Sequence, residues 1–438
     1  MPQGADVDDS LTSQSATDLA TAIRAGVVSS EEVVTAFLDR IEAVNPMINA
    51  VVQVAAESAL EQARAADAAI AAGSPIGRLH GVPFTVKDNL ATVGVITAVG
   101  EPERAEDIPN QDATVVARMR AAGAILLGKT NCPPGGGGNF TDNPVYGRTN
   151  NPYDLARTPG GSSGGEAAIQ AAGGSPVGIG SDSGGSIRGP AHLCGIAGLK
   201  PTSGRVPSTG GFELPGGLYD TRTQIGPMSR FVRDLGPTLA IIAGIDGRDS
   251  AVVPMPPADP DKVTVTGLRL AFYTDDGLLT PTSETIATVE AAARALSDAG
   301  LAVEERRPQV IGDAPSITQR YWRWDSPTFT GSEFGKLMLD WNRFRTAMLT
   351  FMDDYDALLC PAVPCPAPLH GEPDDVLSAY TLAFSLTGWP CVVVRAGTSP
   401  EGLPIGVQIA APPWREDIAL AVAQQIESAL GGWQSPAL

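Results

Sequence analysis

Between residues 159 and 205 the chain reads PGGSSGGEAAIQAAGGSPVGIGSDSGGSIRGPAHLCGIAGLKPTSGR. Glycine at this density serves a chain that must adopt positive φ or let another group come close to its backbone. The same stretch carries two serine clusters, Ser162 with Ser163, and Ser186. A hydroxyl set among glycines lies beside exposed backbone N–H groups, which is the arrangement a nucleophile of acyl-transfer chemistry requires.

The remaining composition limits what surrounds this block. The 438 residues are 43% hydrophobic and 18% charged, with a mean hydropathy of +0.03, as in a soluble globular protein. Acidic residues outnumber basic ones 49 to 30, for a formal net charge of −19. Such a surface argues against nucleic acid and against an anionic membrane as partners. The acidic start, MPQGADVDDSLTSQ, lacks the layout of a signal peptide, and no apolar run approaches the roughly 18 residues of a spanning helix. A cytoplasmic location is the expectation. The five cysteines (Cys132, Cys194, Cys360, Cys365, Cys391) are odd in number and lie in apolar surroundings. Cys360 and Cys365 match neither a redox pair nor a zinc knuckle, so buried free thiols are expected.

Along the chain, helical and strand patterns alternate. SATDLATAIRAG and SSEEVVTAFLDRIEAVNP read as amphipathic helices, the second with Ser29 and Glu32 in capping-box positions. ESALEQARAADAAIAAG is a third helix. GVPFTVKDN reads as a buried strand ending on Lys87 and Asp88, ATVVARMRAAG as a helix, and AILLGK as a strand. EAAIQAAGG is helical, PVGIG a strand, and SIRGPAHLCG the start of a short helix. LRLAFYT, DALLCPAV, PCVVVRAG and PIGVQIAA read as strands, with helices over SETIATVEAAARALSDAG and REDIALAVAQQIESALG. The alternation predicts an α/β fold with a mixed, mostly buried β-sheet covered by helices, built as a single large domain over 1–438. Its parts are a helical N-terminal region (15–73), a central core (75–230) and C-terminal strands with a helix (356–430). Residues 247–265 read as a surface connection.

Two familiar chemistries do not fit. Gly123 to Thr130 matches GxxxxGK[ST] letter for letter, but Ala-Ile-Leu-Leu suits a buried strand and the following Asn-Cys-Pro-Pro blocks a helix, which argues against a nucleotide site. A Ser-His-Asp hydrolase needs a histidine, and only His80, His192 and His370 are present. Each reads as structural. If serine is the nucleophile, another base must activate it. Lys87 is the candidate, since it ends an apolar strand, and a buried lysine can lose its charge.

At this point the motifs identify a family. GVPFTVKDN (81–89), GKTN (128–131), the block from GGSSGGEAA to GLKPTSGRVP (160–207), IGPMSR (225–230) and GLPIGVQIAAP (402–412) resemble the amidase signature family of serine hydrolases. The resemblance implies an amidase signature fold and a Ser-cisSer-Lys triad. Ser186 resembles the nucleophile, Ser162 the serine held by a cis peptide, and Lys87 the base. The backbone amides of Ser183, Gly184, Gly185 and Ser186 resemble the oxyanion hole, with a helix beginning near Ile187 adding its positive end. Ser163, Asp182 and Arg188 are expected in supporting roles. No cofactor or metal is implied.

One segment departs from the pattern. After GKTN comes CPPGGGGNFTDN, more glycine-rich than its counterparts, and Cys132, Pro134, Gly135, Gly136, Gly137, Gly138 and Phe140 are expected to form an open pocket wall. The implied activity is hydrolysis of carbon–nitrogen bonds other than peptide bonds, on aryl or small amides or on carbamates (urethanes), with a homodimer allowed. Two alternatives remain: the A subunit of a glutamyl-tRNA amidotransferase, and a catalytically inactive binding protein.

Overall fold

A computed structural model describes residues 9–211, 222–257, 259–373 and 376–438. Residues 1–8, the start of the acidic N-terminus, lie outside these ranges, as does residue 258 of the 247–265 connection. Eleven strands appear in chain order: β1 (Val51–Val54), β2 (Pro83–Lys87), β3 (Ile125–Thr130), β4 (Val177–Asp182), β5 (Ala197–Lys200), β6 (Gln224–Ser229), β7 (Arg269–Phe272), β8 (Ala302–Glu305), β9 (Ala357–Pro361), β10 (Cys391–Thr398) and β11 (Pro404–Ala410). They form one mixed sheet in the order β1-β3-β2-β4-β6-β5-β10-β11-β9-β7-β8. The α/β class read from the alternation is therefore the fold observed.

Strand chemistry follows position. β2, β3, β4, β9 and β11 are buried at every residue, and β9 and β11 are nearly continuous apolar runs, as strands covered on both faces must be. Successive residues point to opposite faces, and the core divides accordingly. Leu359, Val392 and Ile409 join Phe37, Phe84 and Leu127 in one cluster, while Leu358, Cys391 and Ala410 join Trp341, Phe384 and Trp389 in the other. The helix Ser30–Ile48 starts in the expected capping box, with Ser29 and Glu32 bonding reciprocally. The segment matching the phosphate-loop letters is strand β3, and its Lys129 is buried in bonds to the Leu90 carbonyl, Thr92 and Thr97.

The site is prepared by three parallel neighbours. β2 pairs in parallel with both β3 and β4, in a register that sets Val86 opposite Ile179 and Lys87 opposite Thr130. Their carboxyl ends thus bring Lys87, Thr130, Ser181 and Asp182 to one edge, where open α/β sheets gather ligand-handling groups.

Candidate active site

Lys87, last residue of β2, is fully buried. Its Nζ lies 2.6 Å from Ser162 Oγ, 2.9 Å from Ser181 Oγ and 3.4 Å from the Gly136 carbonyl. Ser162 follows a cis Gly161–Ser162 peptide bond and precedes the helix Gly164–Ala171. The Ser163 N–H donates to the Ser186 carbonyl at 3.2 Å, which joins the two serine segments, and Ser163 Oγ donates to the Ser181 carbonyl at 3.2 Å. Ser162 and Ser186 both line a cavity of about 260 Å³, together with Asn89, Ser181, Ser183 and Gly184.

Asp182 organises the loop between β4 and Ser186. Its carboxylate accepts the N–H groups of Gly185 (2.9 Å), Ile187 (3.0 Å) and Arg188 (3.3 Å), and the Arg188 guanidinium at 3.0 and 2.8 Å. Arg188 also donates to the Thr381 carbonyl, Gln408 and Ser385. Burial would raise the Asp182 carboxyl, but the adjoining Arg188 charge and its hydrogen bonds bring it down to about 2. Of the four amides expected to face an oxyanion, that of Gly185 is donated to Asp182, and Gly185 does not line the cavity. Among the described residues no protein acceptor is found for the amides of Ser183, Gly184 and Ser186, all three of which line the cavity. Gly185 has φ +137°, and a Cβ there would overlap Thr381 Oγ1. The helix that follows is short, Arg188–Leu193, with Ile187 at its start.

Gly135, Gly136, Gly137 and Gly138 line the cavity, whereas Cys132, Pro134 and Phe140 do not. Cys132 is buried below the wall, where burial pushes its thiol up to about 12. Phe140 packs instead with Leu193, Val363 and Leu377, and Pro134 faces solvent. None of the histidines reaches the cavity. The ring nitrogens of His192 lie 2.9 Å from the Gly406 carbonyl and 3.1 Å from that of Cys365, and burial holds it neutral, near 4.

Several residues at the site escape a reading of the sequence. Ser181, a second partner of Lys87, is also bonded by Asn89 Nδ2 at 3.0 Å; its place just before Asp182 on the strand beside β2 is the available signal. Trp322 and Ser378 reach the cavity from the C-terminal half, where no motif marks them. Glu166 is fully buried behind Ser162, accepting from Thr85 (2.5 Å), Thr130 (2.9 Å) and Gln170 (2.7 Å). Burial raises its carboxyl to about 7. Gly178 makes room for it, since a Cβ there would overlap the carboxylate.

A mixed α/β sheet with a lysine–serine contact at the carboxyl ends of its parallel strands, but no histidine, defines a class distinct from the Ser-His-Asp hydrolases. The Amidase family profile matches residues 32–329 and 332–420. The chain is 35% identical to an acylamidase of Rhodococcus erythropolis, over 94% of this chain and 95% of that one. It is 34% identical to the A subunit of the glutamyl-tRNA(Gln) amidotransferase of Heliobacterium modesticaldum, over 92% and 94%. A 6-aminohexanoate cyclic dimer hydrolase, solved in complex with substrate, superposes with a TM-score of 0.86 at 30% identity, covering 98% of this chain and 99% of that one. The chain belongs to the amidase family and is an amidohydrolase acting on carbon–nitrogen bonds other than peptide bonds.

Proposed function

We propose that this enzyme hydrolyses aryl or small amides, and carbamates, through a serine acyl-enzyme formed on Ser186. The observation that carries the reading is the 2.6 Å contact between Lys87 Nζ and Ser162 Oγ at the edge of a cavity that Ser186 also lines. In its neutral form Lys87 accepts the Ser162 proton while Ser162 accepts that of Ser186. The freed Ser186 Oγ attacks the carbonyl carbon. Negative charge develops on the carbonyl oxygen, for which the amides of Ser183, Gly184 and Ser186 are the donors; losing one such donor costs about 3 to 4 kcal/mol of transition-state stabilisation. The relay then returns the proton through Ser162 to the leaving nitrogen, without which an amine cannot depart. Water, activated by the same route, releases the acid. A carbamate differs from an amide only by an oxygen on the far side of the carbonyl and uses the same steps. Asp182 and Arg188 hold the donor loop, and Ser163 ties it to Ser162.

The test is a hydrolysis panel of a nitroanilide, an aliphatic amide, an aryl carbamate and glutamine, with the same panel run on Ser186→Ala and Lys87→Ala. Both variants should lose about a thousandfold or more in kcat, and a fluorophosphonate should label Ser186 of the parent protein. Near-normal turnover by Ser186→Ala would overturn the assignment. A second reading, as the glutamine-cleaving subunit of an amidotransferase, is supported by the relative of that name. Cleavage of glutamine alone would favour it.

A further inference from the structure

The two flanks of the cavity differ in chemistry. On one side, above Lys87 and Ser162, the wall is glycine backbone from Gly135 to Gly138. On the other stands Trp322, in the turn that follows the helix Ala314–Tyr321. Trp322 is 55% exposed and lies against the donor loop: a Cβ built on Gly184 would sit 3.6 Å from Trp322 Cζ2 and 3.8 Å from Leu382 Cδ2. A large apolar ring left in water beside the reacting carbonyl is a surface awaiting a partner.

An independent feature lies behind it. Arg222 is fully buried, yet its Nε, Nη1 and Nη2 have no hydrogen-bond partner among the described residues. Its guanidinium carbon is 4.5 Å from the Tyr321 ring centroid and 5.8 Å from that of Trp322. The two aromatic rings thus stand where hydrogen-bond partners would, with the Asp182 charge adding a longer-range attraction, and the guanidinium packs against both rings. A buried polar group without hydrogen bonds calls for a reason, and keeping Trp322 at the rim supplies one.

The proposed acyl-transfer chemistry orders the three substituents of the substrate carbonyl around the cavity. The leaving nitrogen takes its proton from Ser162, so the amine lies under the glycine flank. The carbonyl oxygen faces the amides of Ser183, Gly184 and Ser186. The remaining substituent, the acyl group, is directed toward Gly184 and Trp322. We propose that Trp322, positioned by Arg222, is the specificity determinant for the acyl group and stacks against an aromatic acyl substituent. This rests on the Ser186 acyl-transfer reading.

The test compares the p-nitroanilides of phenylacetic and butyric acid, which share a leaving group. Trp322→Ala should lower the phenylacetyl-to-butyryl ratio of kcat/KM about tenfold, mostly through KM, and Trp322→Phe should restore most of it. Arg222→Met, which keeps the stem and removes the charge, should lower the ratio about threefold. An unchanged ratio in Trp322→Ala, or equal losses on both substrates, would overturn the proposal. Calorimetric binding of phenylacetanilide and butyranilide to Ser186→Ala protein separates the two readings. A tenfold weakening of the aryl ligand alone on adding Trp322→Ala supports the platform whether or not the parent protein turns over, and no difference sinks it. Failure of Ser186 to label or of the parent protein to turn over bears only on the acyl-transfer reading.

Discussion

Asp182 and Ser186 stand four positions apart and are held by opposite kinds of need. Asp182 gives its oxygens to three backbone amides and a buried guanidinium, so its removal leaves Arg188 charged and uncompensated in the core. Breaking a buried pair from one side costs about 3 to 5 kcal/mol. Asp182→Ala should therefore lower the melting temperature markedly and abolish turnover, whereas Ser186→Ala should melt as the parent protein does while losing turnover. Calorimetry on the three proteins checks this, and an Asp182→Ala protein of parental stability would show the loop to be held otherwise. The contrast also marks what residue-level reading of the sequence can reach. Lys87, Ser162 and Ser186 are legible because each sits in a short motif whose glycines and strand end define its surroundings. The direction of the Gly185 amide is not, because it depends on where one carboxylate three residues earlier folds back. Cys132 and Phe140 stay out of the wall for a similar reason: proximity in sequence to Gly135 does not say which side of the loop a side chain takes.

At the scale of elements, the glycine wall makes a sharp comparison available. Gly136 has φ +71°, and a Cβ there would come within 3.1 Å of Asn89 Nδ2. Asn89 holds Ser181 Oγ, and Ser181 holds Lys87. Gly137, one residue on, has φ −108° and open space around it. Gly136→Ala should thus reduce kcat about tenfold by displacing Asn89, against a change of less than about threefold for Gly137→Ala. Equal effects in steady-state kinetics would show that the wall acts only by its openness. Other elements are hard to read from sequence. The helix Gly331–Met352 buries Leu337, Trp341, Phe344, Met348 and Met352, a regular stripe, but Leu339 and Leu349 are exposed on its other faces, and Phe334, in line with the stripe in the first turn, is exposed as well, which blurs the period. Strand β6 contains Gly226 and Pro227, which argue against a central strand. It is accommodated because β5 pairs with β6 only at Met228 and Ser229, beyond the proline, so the sheet overrides local propensity there.

For the molecule as a whole, Glu166 links stability to pH through a group joining two strands and a helix. Its carboxyl, raised by burial from 4.5 to about 7, binds its proton more tightly in the folded state than in the unfolded one. Folding is therefore favoured by this group below its unfolded value of 4.5, and that contribution is lost as pH rises to about 7 and beyond. A shift of this size corresponds to about 3 kcal/mol for a fully buried group. Asp182 acts in the opposite sense, since its carboxyl is lowered from 3.8 to about 2; its contribution is complete above 3.8 and disappears as pH falls through 2. The two windows do not overlap, but Asp88, raised to about 6, and Lys129 and Lys200, lowered to about 8, also change charge near neutrality, so a comparison of variant with parent protein is what isolates Glu166. Glu166→Gln can keep the network, because its amide can donate to the Thr130 hydroxyl while its oxygen still accepts from Thr85 and Gln170. The variant and the parent protein should melt alike at about pH 4.5, and the variant should become the more stable by several degrees at about pH 8. Parallel melting curves across that range would mean that the carboxylate is compensated in the folded protein. In that case Thr85, Thr130 and Gln170 satisfy the charge in full, and the sheet edge that carries Lys87 does not respond to pH through Glu166.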